Sequence, residues 1–211
     1  MTTASTPQQT IVTLDLEGVL VPEIWIAVAE RTGIEALRRT TRDEPDYDVL
    51  MKARLKILDE QGLTMSLITD VIGGLKPMDG ARDFLDALRS RTQVIILSDT
   101  FEQFAAPLMV QLGMPAILCH QLVVRDDRIV SYALRMPDQK RHAVEAFRAL
   151  HYRVVAAGDS YNDAAMLAAA DAGFWFHAPD SIAAQFPQFP TTNSYDDLFS
   201  SIAGALINES R

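Results

Sequence analysis

The sequence predicts an α/β protein, with a Rossmann-like parallel sheet core and an inserted small helical cap domain. Residues 11–14 are apolar and rich in β-branched side chains with little alternation, which is typical of a strand buried on both faces of a parallel sheet. From Pro77 onward, segments with helical and strand patterns alternate. The block between these parts has only helical patterns, so we expect an insertion. The predicted division is a flexible tail at 1–10, a core at 11–21 and 75–211, and a cap at 22–74.

The composition argues against several classes of protein. A formal net charge of −9 is unfavourable for general binding to nucleic acid or to an anionic membrane, because both need clustered basic side chains. The single Cys119 has no partner for an internal disulfide, and the four histidines lack the paired cysteines of a zinc framework. No apolar run approaches the ~20 residues that span a bilayer, and residues 1–10 lack the regions of a signal peptide. We therefore expect a cytoplasmic protein with a small-molecule partner; the oligomeric state stays open, with a homodimer as one alternative.

The first and last helices of the cap have clear boundary signals. The first begins at Pro22-Glu23, where proline suits the first helical position and an acidic side chain suits the positive end of the helix dipole. It ends at about Thr32, before Gly33. The last extends over about 64–71 and ends at a pair of glycines.

The middle helix of the cap carries one unusual cation. After a polar segment at 40–45, apolar side chains recur at helical spacing from Tyr47 to Leu58. Arg54 lies in the middle of this apolar stripe, whereas both lysines of the helix lie elsewhere on the wheel. The pattern therefore predicts a single guanidinium on the buried side.

The core elements follow in chain order. Helices are expected at 79–89, 101–112, 138–150, 161–170 and 195–206. Strands are expected at 93–97, 116–118, 152–157 and 172–176, and a β-hairpin at 122–125 and 129–134 around Asp126-Asp127.

Polar side chains follow the first two predicted strands. Asp15 ends the first strand, at the sheet edge where α/β proteins keep their sites, and can serve as a nucleophile or as a ligand for Mg²⁺. A turn-forming aspartate is the alternative at this position. Ser98 ends the second strand, where a hydroxyl can hold a phosphoryl oxygen. Asp99 and Thr100 suit the N-cap of the next helix, and Asp99 is also a candidate substrate-binding residue.

Two later segments add charge to this edge. Asp159 follows a glycine at the end of a buried strand and fits a metal ligand facing the first aspartate. Ser160 and Asp163 have capping-box spacing, and Asp163 is also a candidate metal ligand. Lys140 lies near a helix start, on the same face as Ala143, Val144 and Phe147. Its expected task is to balance carboxylates and phosphate oxygens, with a snorkelling surface lysine as the alternative.

In this order, the four motifs resemble those of the haloacid dehalogenase-like phosphatase superfamily. They are Asp15-Leu-Glu17, Ser98, Lys140, and Gly158-Asp159 with Asp163, and together they extend over residues 11–163. The segments Asp15-Leu-Glu-Gly-Val-Leu-Val-Pro-Glu-Ile-Trp25, Leu97-Ser-Asp-Thr100 and Ala157-Gly-Asp-Ser-Tyr-Asn-Asp163 are similar to the phosphoserine phosphatase branch. They resemble in particular its bifunctional phosphoserine phosphatase/phosphoserine:homoserine phosphotransferase members, which implies roles in serine and threonine biosynthesis.

The resemblance implies a role for each motif residue. Asp15 attacks the phosphate and becomes an aspartyl-phosphate, while Asp15, the Glu17 carbonyl and Asp159 hold Mg²⁺. Ser98 and Lys140 bind the phosphoryl group. Glu23 and Arg54 hold the amine and the carboxylate of the substrate, and Asn162 contacts phosphate or substrate.

The chain departs from the family pattern at two positions. Glu17 replaces the usual aspartate of the general acid/base, and Val19 replaces a common threonine. A phosphatase for another small phosphomonoester and a catalytically silent Mg²⁺-binding regulatory module remain alternatives. The sequence has no G-x-G-x-x-G after the first strand and no G-x-x-x-x-G-K, which disfavours a nucleotide-binding oxidoreductase and a P-loop kinase.

Overall fold

A computed structural model describes residues 8–41, 43–44 and 46–207. Residues 1–7 of the expected tail lie outside the described residues, as do Arg42 and Pro45 of the polar segment at 40–45. Within the described ranges, no helix combines the length and hydrophobicity needed to cross a bilayer.

The described residues contain a seven-stranded sheet, which confirms the predicted α/β class. The strands are β1 (Thr10–Leu14), β2 (Gln93–Phe101), β3 (Ala116–Arg125), β4 (Arg128–Ala133), β5 (Arg153–Gly158), β6 (Ala172–Phe176) and β7 (Thr191–Thr192). Their order is β4-β3-β2-β1-β5-β6-β7, and only the β3–β4 pair is antiparallel. Because β1 is central, Val12, Thr13 and Leu14 have no exposed surface. The end of β1 is therefore flanked by the ends of β2 and β5.

Helices cover both faces of the sheet and form the block after β1. They are α1 (Ile24–Thr32), α2 (Tyr47–Glu60), α3 (Met65–Gly74), α4 (Ala81–Arg89), α5 (Glu102–Gln111), α6 (Gln139–Ala149), α7 (Ala164–Ala169), α8 (Asp180–Gln185) and α9 (Tyr195–Ile207). A 3₁₀ helix at Glu35–Arg38 follows α1, and another at Tyr161–Asp163 precedes α7. The helices α1–α3 lie between β1 and the rest of the core, whereas the exact cap boundaries at 22 and 74 stay a prediction.

The core lies on both faces of the sheet. Along β5, Val155 and Ala157 pack in a cluster that includes the apolar residues of α4, α5 and the cap helices. Val154 and Ala156 point the other way, into a smaller cluster with residues of α6 and α7. The near-continuous apolar sequence of the strand follows from this burial on both faces.

Several predicted boundaries were wrong. The expected strand at 116–118 and the first hairpin strand at 122–125 form one continuous strand, β3. The second predicted strand continues to Phe101, so Asp99 and Thr100 lie within β2, and the N-cap of α5 is Phe101 without a side-chain cap bond. A register shift between Leu97 and Phe101 allows this extension. The predicted helix at 161–170 begins as a 3₁₀ turn, and α8, β7 and the 3₁₀ helix at Glu35–Arg38 were not predicted.

The β3–β4 hairpin is bonded to the cap. At its turn, the Asp127 carboxylate accepts hydrogen bonds from the main-chain N–H and the hydroxyl of Ser66, both at 2.8 Å. The Asp127 carbonyl accepts from the N–H of Met65 at 2.7 Å, and Arg128 forms an ion pair with Asp59 at 3.0 Å. These contacts fix the start of α3 and the end of α2 against the core.

Candidate active site

Asp15 lies directly after β1, in the place that the sequence predicted. Its side chain is buried, and Oδ1 accepts a hydrogen bond from the N–H of Leu16 at 2.7 Å. Burial and the neighbouring carboxylates of Asp163 and Asp159 raise the pKa of Asp15, while the Lys140 ammonium opposes the increase. The carboxylate is thus held in a fixed orientation at the edge of the sheet.

Lys140 occupies the first turn of α6 and is buried, as are Ala143 and Val144 on the same face, so the predicted placement is confirmed. Its Nζ lies 2.8 Å from Asp163 Oδ1, 2.9 Å from Asp15 Oδ1 and 3.9 Å from Asp99 Oδ2. Burial lowers the pKa of Lys140, but these three carboxylates outweigh it and raise the pKa above its ordinary value. Lys140 is therefore a fixed positive charge beside Asp15.

Three buried carboxylates form a group that fits a hard divalent cation. One oxygen from each of Asp15, Asp159 and Asp163 lies within 4.8 Å of the others. Asp163 Oδ2 also accepts hydrogen bonds from the N–H groups of Asp159 and Ser160, at 3.0 and 3.1 Å, as the predicted capping role requires. Three carboxylates against one lysine leave an excess of negative charge that a divalent cation would neutralise.

Gly18 allows the loop after β1 to approach this group. It has φ +77°, in the left-handed region, and a Cβ there would collide with the Asp159 carboxylate. Glycine removes both the strain and the collision. The conformation of the loop thus depends on the absence of a side chain at this position.

Glu17 contacts the cap as well as the site. Its Oε2 accepts a hydrogen bond from the N–H of Ile24, the first residue of α1, at 2.8 Å. Glu23, which the sequence placed at the positive end of this helix, is the N-cap residue but makes no side-chain cap bond. Burial, followed by the charge of Glu23, raises the pKa of Glu17 to about 7. Such a group is poised to give and to take a proton near neutral pH.

Ser98, Asp99 and Asn162 line the same region. The Ser98 hydroxyl is buried and accepts a hydrogen bond from the N–H of Thr100 at 3.3 Å. Asp99 Oδ2 accepts one from Asn162 Nδ2 at 2.9 Å. This bond links the end of β2 to the 3₁₀ helix that follows β5.

Arg54 is buried on the inner side of α2, which confirms the placement that the apolar stripe predicted. Its guanidinium lies over the ring of Trp25, 4.6 Å from the centroid. Nη2 donates a hydrogen bond to the Arg39 carbonyl at 2.8 Å. Nε is buried and has no hydrogen-bond partner among the described residues. Burial lowers the pKa of Arg54 to about 10, which leaves it charged at neutral pH.

One cavity of about 60 Å³ joins these groups. The sequence-predicted residues that line it are Asp15, Glu17, Glu23, Arg54, Ser98, Asp99, Asp159 and Asn162. Lys140 and Asp163 lie behind the lining, in contact with Asp15 and with each other.

Other lining residues were not predicted as site residues. They are Trp25, Thr40, Thr41, Tyr47, Thr100, Phe101 and Ser160. For Tyr47 the sequence held a signal, because this residue begins the apolar stripe of α2 that also contains Arg54. In the structure its hydroxyl donates a hydrogen bond to the Asp99 carbonyl at 2.7 Å. Trp25 follows the first motif closely, but only the fold shows that its ring supports Arg54.

Sequence comparisons identify relatives over most of the chain. The family model of the haloacid dehalogenase-like hydrolases matches residues 10–171. The chain is 62% identical over 189 residues to a phosphoserine phosphatase ThrH of Pseudomonas aeruginosa, covering 89% of this chain and 92% of that protein. It is also 62% identical to a phosphoserine phosphatase of Pseudomonas syringae pv. tomato, covering 89% of this chain and 80% of that protein.

Solved structures share the fold. A phosphoserine phosphatase from T. onnurineus superposes with a TM-score of 0.72 at 21% identity, covering 96% of this chain and 98% of that one. A phospho-aspartyl intermediate analogue of a phosphoserine phosphatase gives a TM-score of 0.77 at 17% identity, covering 92% and 99%.

Proposed function

Because the chain belongs to the haloacid dehalogenase-like hydrolase family, we propose that it is a Mg²⁺-dependent phosphoserine phosphatase that works through an aspartyl-phosphate at Asp15. The observation that carries the proposal is the Asp15–Lys140 pair, a buried carboxylate 2.9 Å from a buried ammonium beside the cavity. A carboxylate can attack phosphorus, and a fixed ammonium stabilises the negative charge of the phosphoryl oxygens. The phosphoserine phosphatase names of the 62% identical relatives support the choice of substrate.

The proposed reaction has two halves. In the first, an Asp15 oxygen attacks phosphorus, the bond from phosphorus to the serine oxygen breaks, and that oxygen takes the proton of Glu17. In the second, the Glu17 carboxylate takes a proton from water, the water oxygen attacks phosphorus, and the Asp15 carboxylate is released with inorganic phosphate. The pKa of Glu17, about 7, supports both tasks because protonated and ionised forms coexist near neutral pH.

The proposed donors for Mg²⁺ are the carboxylates of Asp15, Asp159 and Asp163 and the main-chain carbonyl of Glu17. When bound, the ion supplies positive charge that polarises the phosphoryl group. Asp163 also anchors Lys140 through Oδ1.

The proposed reader of the substrate carboxylate is Arg54. Arg54 lines the cavity, and its guanidinium forms no ion pair among the described residues, which supports pairing with a substrate carboxylate. Glu23 is proposed to hold the ammonium group. Asp99 and Asn162 are proposed to line the rest of the substrate site, with Ser98 and Lys140 on the phosphoryl group.

We extend the proposal to transfer of the phosphoryl group to homoserine. Homoserine is serine with one more methylene, so the same cation and carboxylate can hold its charged groups while its hydroxyl replaces water in the second half-reaction. The resemblance to the bifunctional members of the branch supports this extension. The greater length of Glu17 than of the usual aspartate shifts where its carboxylate meets an acceptor.

Phosphorus NMR of one set of reactions tests the proposal. Phosphoserine with Mg²⁺ should give inorganic phosphate, EDTA should stop the reaction, and added millimolar homoserine should give O-phosphohomoserine as well. Hydrolysis of a sugar phosphate but not of phosphoserine would assign another phosphomonoester. No turnover of any ester would leave a silent Mg²⁺-binding module, and phosphate alone in the presence of homoserine would remove the transferase activity.

A further inference from the structure

A buried histidine lies behind the candidate site, and the reaction described above does not use it. His120, on β3, is 3% exposed and lies against the rings of Tyr47 and Phe101, with centroid distances of 6.3 and 6.4 Å. An imidazole has two ring nitrogens, and burial is unfavourable unless both have polar partners. The partners of these nitrogens therefore indicate what the side chain does.

The two partners define the tautomer of His120. The N–H of Arg135 donates to Nδ1 at 3.1 Å, so Nδ1 carries the lone pair and the proton of the neutral ring is on Nε2. Nε2 lies 3.5 Å from Asp99 Oδ1. A main-chain donor thus directs the histidine proton at a carboxylate of the site.

Asp99 connects this histidine to the phosphoryl side of the site. Its Oδ1 is also 3.4 Å from Gln139 Nε2. Its Oδ2 accepts from Asn162 Nδ2 at 2.9 Å and lies 3.9 Å from Lys140 Nζ. One oxygen of the Asp99 carboxylate therefore contacts β3 and α6, and the other contacts α6 and the 3₁₀ helix after β5.

We propose that His120 is a positioning residue for phosphoryl transfer, whose Nε2–H orients the Asp99 carboxylate so that Asp99 in turn holds the Asn162 amide and keeps its negative charge near the Lys140 ammonium. The inference rests on the phosphatase activity proposed above but not on its substrate, because Lys140 serves the phosphoryl group of any ester. Without the Nε2–H, the carboxylate rotates, the Asn162 amide loses its hydrogen-bond acceptor, and the negative charge near Lys140 moves.

Two variants separate the hydrogen bond from the volume of the ring. His120→Phe keeps the ring and removes both nitrogens, whereas His120→Gln keeps an N–H donor at the distance of Nε2. With an aryl phosphate and with phosphoserine, we expect His120→Phe to lower kcat by the same factor, roughly tenfold, because misplaced catalytic groups mainly affect the transition state. His120→Gln should restore most of the loss. His142→Phe, the same change at a partly exposed position on α6, is the matched control and should leave kcat unchanged.

A double-mutant cycle distinguishes positioning from a general structural role. If His120 acts through Asp99, His120→Phe has little further effect on kcat in the Asp99→Asn background. Independent, multiplicative losses would overturn the proposal, as would full activity of His120→Phe or a Gln variant as slow as the Phe variant.

A spectroscopic measurement tests the geometry without turnover. In ¹⁵N-histidine-labelled protein, the resonance that disappears in His120→Phe should have the Nε2–H tautomer and should shift in Asp99→Asn. An Nδ1–H tautomer would overturn the proposal even if phosphoserine were not the substrate. Failure of the wild-type protein to turn over phosphoserine, with aryl phosphate still cleaved, counts only against the proposed substrate.

Discussion

The core half and the cap half of the site differ in how their cations are balanced. In the core, three carboxylates lie within 4 Å of the Lys140 ammonium, and the side chain is buried. In the cap, Arg54 forms no ion pair among the described residues; it stacks on Trp25 and leaves Nε without a partner. The core half is therefore organised without a ligand, whereas under the proposed function the substrate carboxylate supplies the missing partner in the cap half. We therefore expect the rate of phosphoryl transfer to depend on the core half and the choice of substrate to depend on the cap half.

Asp15→Asn should give the largest effect, on every substrate. The amide has nearly the same shape but cannot attack phosphorus, so turnover should fall by more than about a hundredfold with phosphoserine and with an aryl phosphate alike. Thermal unfolding should show that the fold is retained. Residual activity above about one hundredth of wild type would mean that another residue is the nucleophile.

Arg54→Met should give a smaller and selective effect. Loss of the guanidinium should raise KM for phosphoserine by roughly thirtyfold, because a charged hydrogen bond to the substrate carboxylate is lost. An aryl phosphate without a carboxylate should lose much less. Arg38→Met, on the surface of the cap, is the control. Equal losses on both substrates would show that Arg54 shapes the cap and does not read the substrate.

Glu17→Gln should also change the stability of the protein, by an amount that depends on pH, in addition to the loss of turnover that its proposed role as general acid and base implies. In the metal-free protein the pKa of Glu17 is about 7, against an ordinary 4.5, so the folded state retains a proton that the unfolded state releases in this window. The contribution of Glu17 to folding stability therefore falls as the pH rises from 4.5 to 7. The Gln variant cannot ionise, so its melting temperature should match the wild type below pH 4.5 and exceed it above pH 7.

The measurement for Glu17 is the difference in melting temperature between variant and wild type across pH 4–8, in EDTA. We expect roughly 6–12 °C above pH 7, since the difference between a pKa of about 7 and one of 4.5 corresponds to about 3 kcal/mol for this buried group. Glu60→Gln, at an exposed position on α2, is the control. A constant difference across the range would mean that Glu17 does not titrate in this window.

Sequence patterns predicted the residues at strand ends and on amphipathic faces. Asp15 and Asp159 follow strands, and Arg54 and Lys140 interrupt apolar stripes, so each position has a local signal. The structure confirms the predicted burial of Arg54 and Lys140, and it shows that the Asp15 and Asp159 side chains are buried as well. Their proposed chemical roles stay predictions.

Sequence patterns could not predict the structural role of residues whose environment is determined by tertiary contacts. Asp99 has the local pattern of a helix cap, but pairing of β2 with β3 extends the strand past it. His120 has no distinctive neighbours in the sequence, because its partners are Asp99 and Arg135, on other segments of the chain. The sequence pattern placed Glu23 at the start of α1, but the carboxylate that accepts a hydrogen bond from the first N–H of this helix is that of Glu17. The loop after β1 turns back toward the cap and brings Glu17 to this position.

The contacts at the hairpin turn have a consequence for synthesis of the chain. Ser66 and Asp127 are 61 residues apart, and Asp59 and Arg128 are 69 apart. Because the ribosome makes the N-terminal segment first, α2 and α3 emerge before the hairpin that fixes them exists. Contacts over such a separation also form slowly, since closing a long loop is entropically unfavourable. The cap is thus an early product of translation that reaches its final position only after residues 127 and 128 have been added.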